Sequence, residues 1–136
     1  MTLRFCHFSF FLFLLLLLPK LCFAQYIRGS NSKVIAKISG GEIRDSNSRS
    51  LGSINIDGTV RNSNGKKLGT IQDGRVVNEN GLTIDDSGTF RDSNGRLMFR
   101  INNGSIRNSS SKLLFKYKDI ELTHLMAFLY FFNSDY

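Results

Sequence analysis

The chain has 136 residues, 18 basic and 11 acidic, for a net charge of +7; 41% of it is hydrophobic, tryptophan is absent, and it holds two cysteines and two histidines. That balance suits one small domain able to bury a core. It is poor in the residues that build disulfide frameworks, thiolate metal sites and cysteine–histidine catalytic pairs.

Residues 1–24 read as a secretory signal peptide. Arg4 supplies a positive start, residues 8–18 form an apolar run broken only by Ser9, and Cys22-Phe23-Ala24 precedes a cut at Gln25. The run is shorter than the roughly 20 residues of a membrane span, and a retained anchor is the alternative reading. A lipoprotein signal fits less well, because Leu21 stands before Cys22 where a small residue is needed. Cleavage after Ala24 removes both cysteines. It also removes Arg4 and Lys20, leaving 16 basic against 11 acidic residues, or +5. An exported domain without cysteine fits a bacterial envelope (periplasm, outer envelope or extracellular) better than a eukaryotic extracellular module. Its basic balance favours anionic surfaces such as lipid headgroups or acidic polysaccharide. Export, and the even spread of charge along the chain, argue against nucleic acid.

From residue 25 to 118 a phrase recurs about every 16 residues: glycine, any residue, an apolar residue, arginine, Asp or Asn, serine, Asn or Ser, Gly or Ser, then a basic residue. It is clearest as Gly58-Thr59-Val60-Arg61-Asn62-Ser63-Asn64-Gly65-Lys66 and Gly88-Thr89-Phe90-Arg91-Asp92-Ser93-Asn94-Gly95-Arg96. Copies begin at Gly41 and Gly104, with weaker ones around Ile27 and Gly74. A fixed period fixes the architecture first. Each unit reads as a β-hairpin whose first strand carries one inward residue (Ile27, Ile43, Val60, Val76, Phe90 or Ile106). Asn64-Gly65, Asn80-Gly81 and Asn94-Gly95 are the clearest tips. The return strands carry apolar pairs three apart: Ile35 and Ile38, Leu51 and Ile54, Leu68 and Ile71, Met98 and Ile101, Leu114 and Tyr117. Six hairpins supply about 12 strands, which bury a shared face if they curl into a ring without edges.

Residues 119–132 are apolar on every side, as in a helix that is wholly buried or lipid-embedded. About 14 residues make about 21 Å of helix, short for a bilayer and suited to the axis of a small barrel. Asp119 and Glu121 are expected in its first turn, where negative charge suits the helix dipole. The expected fold is therefore all-β: six hairpin repeats closed into a ring or barrel around a C-terminal hydrophobic helix. The expected parts are the leader 1–24, the repeats 25–118, the helix 119–132 in the same domain, and a tail 133–136.

Repeats of this wording, with an exported start and a very apolar terminal helix, resemble the bacterial β-flower proteins across roughly residues 26–132. Members of that family arrange hairpins as petals around an axis, and the number of petals varies. The shape is similar to the tubby C-terminal domain, in which a 12-stranded barrel encloses a hydrophobic helix. Tubby domains bind phosphoinositide headgroups through basic residues, but no motif here carries that activity over.

Candidate chemistry is sparse. His124 is the one histidine after the leader, and it sits in the apolar helix. Asp85-Asp86 and the tip at 92–95 resemble calcium loops, yet lack the full ligand series and terminal glutamate of an EF-hand; plain turn chemistry explains them. Asp57, Asp73 and Asp85 are the carboxylates that repetition could bring together for polymer hydrolysis. No metal or cofactor is expected. The best candidate is the arginine after each inward residue: Arg28, Arg44, Arg61, Arg91 and Arg107. Strand alternation sends these outward onto a common belt, with Lys33, Arg49, Lys66, Arg96 and Lys112 across each hairpin. The competing reading is structural, each arginine packing its stem on the sheet and pairing with a nearby Asp or Asn. The expected function is a monomeric, exported, non-enzymatic module that binds or scaffolds at anionic lipid, polysaccharide or an envelope protein. A membrane-inserting C-terminal helix and an envelope-polymer hydrolase are the alternatives.

Overall fold

The computed structural model describes residues 25–77, 83–85 and 87–133. The leader 1–24, the Asn80-Gly81 tip, Asp86 and the end of the tail lie outside the described residues. Twelve strands follow one another: β1 (Gln25–Gly29), β2 (Val34–Ser39), β3 (Glu42–Asp45), β4 (Ser50–Ile54), β5 (Thr59–Asn62), β6 (Lys67–Gln72), β7 (Arg75–Val77), β8 (Thr83–Ile84), β9 (Thr89–Arg91), β10 (Leu97–Asn102), β11 (Ser105–Asn108) and β12 (Leu113–Tyr117). Each pairs antiparallel with its chain neighbours, and β1 pairs with β12, so the meander is a closed barrel. Closure removes the unpaired edges that a row of short strands would otherwise expose.

The expected inward residues line the lumen: Ile27, Ile43, Val60, Val76, Phe90 and Ile106 are all at most 4% exposed. The three-residue spacing of the apolar pairs does not match a strict two-residue alternation, and bulges explain it. Ile27 pairs with Ala36 while Arg28 pairs with Val34, leaving Ile35 as an extra residue in β2. The same slip sets Leu51, Leu68, Met98 and Leu114 apart in β4, β6, β10 and β12. A bulge bends the strand and increases its twist, and here the extra residue also packs against the core. The true inward partners on the return strands are Ala36, Gly52, Gly69, Phe99 and Phe115, which the spacing of larger apolar residues conceals.

The two ends of the barrel use different turns. Between β2 and β3, β6 and β7, and β10 and β11 the chain turns through two residues at positive φ: Gly40-Gly41, Asp73-Gly74 and Asn103-Gly104. The repeat tips, at the opposite end, are longer. Asn64-Gly65 and Asn94-Gly95 do lie in them, but only the glycine has positive φ. In the 45–49 tip, Asp45 Oδ1 accepts the backbone N–H groups of Asn47 (2.8 Å) and Arg49 (2.9 Å). Asn62, Asp92 and Asn108 do the same in their own tips, so Asp92 is occupied by turn chemistry.

After β12 the chain turns inward at Asp119, whose φ of 55° no helix accommodates. The helix therefore starts later than expected. It comprises α1 (Leu122–Ala127) and one π-helical stretch, Phe128–Phe132. Asp119 and Glu121 precede it, and its first turn holds no acidic residue. Leu125, Met126, Ala127, Phe128 and Leu129 are buried in the barrel core. Among the described residues no helix is long and apolar enough to cross a membrane.

A basic rim and wall as the candidate functional site

All five predicted arginines stand on the outside, Arg91 at the end of its strand and the other four one residue before the end, next to a tip; Arg44 is half-buried and the others are exposed. Their environment differs from the pairing with a nearby Asp or Asn that the competing reading supposes. Each Nη1 donates to the carbonyl four residues on, at the left-handed position of the tip: Arg28 to Ser32 (3.2 Å), Arg44 to Ser48 (2.9 Å), Arg61 to Gly65 (3.0 Å), Arg91 to Gly95 (3.0 Å) and Arg107 to Ser111 (2.9 Å). The arginine thus staples its own hairpin. This occupies one of its five N–H donors. Among the described residues only Arg44 also meets an acid, with Nη2 2.8 Å from Glu42 Oε2. In the fourth unit Val77 takes the arginine position and is 56% exposed, so the belt has a gap there.

The basic residues after the tips (Lys33, Arg49, Lys66, Arg96 and Lys112) are all exposed. With the five arginines and Lys67 they form a rim of eleven cations, set against Asp45 and Asp92 among the described tips. The pairing register extends this surface down the wall. Arg28 lies opposite Lys116, Lys37 opposite Arg44, Arg61 opposite Lys67, and Arg100 opposite Arg107. Like charges directly opposite one another destabilise a sheet. Arg44 apart, none of these residues has an acidic partner within 4 Å among the described residues. Lys37, Arg100 and Lys116 fall outside the repeat phrase, and only the phase of the return strands identifies them. Along the β1–β12 seam a groove of about 720 Å³ is lined by Arg28, Lys116, Lys118, Tyr26, Tyr117 and Asp119. Arg28 sits 5.8 Å from the Tyr26 ring centroid, within cation–π range.

The other candidate residues gather at the opposite end. Asp57 and Asp73 line one cleft there, and Asp73 and Asp85 line its neighbour, so the fold does bring these three turns together. Their chemistry is that of turns. The Thr59 backbone N–H bond holds the Asp57 carboxyl below the usual carboxylate range. The Ser87 hydroxyl and the Thr89 backbone N–H do the same for Asp85. A general acid needs the opposite shift. His124 Nδ1 lies 3.3 Å from Glu121 Oε2, a distance suited to an ion pair when protonated but outside hydrogen-bonding geometry. No protein-family model, curated protein or solved structure matches the chain.

Proposed function

We propose that this is an exported, non-enzymatic module that binds an anionic surface, lipid headgroups or an acidic polysaccharide, through its basic rim and wall. The observation that carries the reading is the set of four cross-strand cation pairs, seven of whose eight members have no acidic neighbour within 4 Å among the described residues. Turn stapling explains the arginines at the tips, but not why lysine or arginine also stands directly across from them. A polyanion laid along these rows relieves that repulsion. We also propose kinship with the bacterial β-flower proteins, which a closed ring of hairpins around a terminal helix supports. The apolar face of the helix is occupied by the barrel core, which favours the surface-binding reading over one in which that helix inserts in lipid. The strands, of two to six residues, are also shorter than the roughly nine to eleven of a lipid-crossing strand.

The test is co-sedimentation of the chain from Gln25 onward with anionic and neutral liposomes, and with an acidic polysaccharide, at low and high salt. Binding to the anionic partner alone, lost at high salt, is expected. The informative variant replaces Lys33, Arg49, Lys66, Arg96 and Lys112 with glutamine, because these side chains are exposed and do not staple the tips. Salt-independent binding to both kinds of liposome would instead indicate an inserting segment, and binding to no anionic partner would end the proposal.

A further inference from the structure

The charge that is evenly spread along the sequence is separated in space. Among the described residues the rim of hairpin tips holds eleven cations against two acids. The opposite end carries Glu42, Asp57, Asp73, Asp85, Asp119 and Glu121 against Arg75 and Lys118. That end is also concave. A cleft of about 830 Å³ opens between the start of α1 and three successive turns, lined by Ile56, Asp57, Asp73, Glu121, Leu122 and His124. Two of the four exposed large hydrophobic residues among the described residues stand on it: Ile56, fully in solvent, and Leu122, 41% exposed.

We infer that the protein associates head to tail with a second copy of itself, a basic hairpin tip of one copy seating in the acidic, apolar-edged cleft of the next. The ends are complementary in sign, and complementary potentials steer association and fix its orientation. Five tips are already held by their arginine staple, and four of these also by the Asp or Asn side chain at their base. A tip so fixed loses little conformational freedom on docking. Ile56 and Leu122 supply apolar area beneath the charges. The contact is heterologous, one end against the other, so it builds open chains or closed rings and not a symmetric dimer. This departs from the monomer expected from sequence, and it stands apart from the proposed binding of anionic surfaces, although both use the rim.

Light scattering coupled to size exclusion, on the chain from Gln25 onward, tests it. At low salt the mass rises with concentration, and at high salt it returns to that of one chain. Two variants separate the ends. The cleft variant carries Asp57→Asn, Asp73→Asn and Glu121→Gln, which preserve the turn acceptor and the tolerance of positive φ. The tip variant carries Lys33→Gln, Lys66→Gln and Lys112→Gln. Each alone associates at least about tenfold more weakly than the parent, a loss of about 1.4 kcal/mol. Mixed in equal amounts they form a 1:1 dimer that grows no further, because one retains the tips and the other the cleft. Equal melting temperatures verify that both fold. A parent chain that stays monomeric at low salt overturns the inference, as does association that neither variant weakens, or a mixture that fails to pair. The cleft variant keeps its binding to anionic liposomes, so loss of assembly and loss of surface binding are read separately.

Discussion

The two sides of the barrel lumen are filled in opposite ways. On β2, β4 and β6 the residues paired with the repeat's inward position across each hairpin are Ala36, Gly52 and Gly69; on β10 and β12 they are Phe99 and Phe115. The aromatic side packs wall against wall and wall against helix: Phe90 meets Phe99 edge-on at 6.2 Å, and Phe115 meets Phe128 at 6.1 Å. The glycine side leaves room that the helix occupies. A Cβ at Gly52 would lie 2.6 Å from the tip of the Phe132 ring, and one at Gly69 would lie 2.7 Å from that of Phe131. The repeat therefore specifies the outside of the wall and one inward residue per hairpin. The second inward residue is free to vary, and it varies to match an asymmetric plug.

Removing the plug is the harshest way to break this match. Truncation after Lys118 uncovers both sides at once and deletes Ile120, Leu125, Met126, Phe128 and Leu129, all at most 7% exposed. At roughly 1.5–3 kcal/mol each, the loss is comparable with the whole typical stability of about 5–15 kcal/mol. The truncated chain is expected to be unfolded or aggregated, as read by circular dichroism and by the loss of a cooperative melt. A soluble, cooperatively melting truncation would show that the wall stands without its plug.

Single substitutions on the two sides are expected to fail for opposite reasons. Phe99→Ala opens a cavity and should cost about 3–5 kcal/mol in chemical denaturation. Gly52→Ala overfills the other side, at about 1–3 kcal/mol, because the new methyl meets the backbone carbonyl of Arg61 as well as the Phe132 ring. Gly69→Ala should cost less, since it meets only the movable end of Phe131. Combining Gly69→Ala with Phe131→Leu should recover part of the loss, with a coupling of about 0.5 kcal/mol or more. Strict additivity would mean that the ring and the glycine are not a matched pair.

Much of this was legible in the sequence. The period gave the hairpins, the residue two places after each glycine gave half the lumen, and the unbroken apolar stretch gave the plug. The bulges were hidden, because the three-residue spacing of Leu51 and Ile54 looks the same whether the strand slips or the pair is split between faces. The sockets at Gly52 and Gly69 were hidden too. A glycine announces a close approach only once its partner is known, and here the partners lie more than 60 residues away. The separation of charge was present but unread: basic residues follow five of the six repeat tips, and acidic residues occupy or adjoin most of the turns between them, a pattern that appears once alternate turns are assigned to opposite ends.

The gentlest perturbation asks whether the two sides, so different inside, are alike at their turns. Asp57 lies between β4 and β5 on the glycine side, and Asp85 between β8 and β9 near the aromatic side; Asp57 accepts the backbone N–H of Thr59, two residues on, and Asp85 that of Thr89, four residues on. Both carboxyls are held below the usual carboxylate range, first by the Thr59 backbone bond for Asp57 and by the Ser87 hydroxyl for Asp85. A depressed folded-state pKa contributes stability that is present above the unfolded value and is lost as pH falls through the folded one. Stability should therefore be flat from neutral pH down to about 4 as far as these groups are concerned, and should drop below it. Asn retains the side-chain acceptor but does not titrate. Asp57→Asn and Asp85→Asn should thus each flatten the acid limb of a melting-temperature profile by a similar, small amount while leaving the neutral value nearly unchanged. A marked effect at Asp85 alone would show that the turns, like the lumen, differ between the two sides.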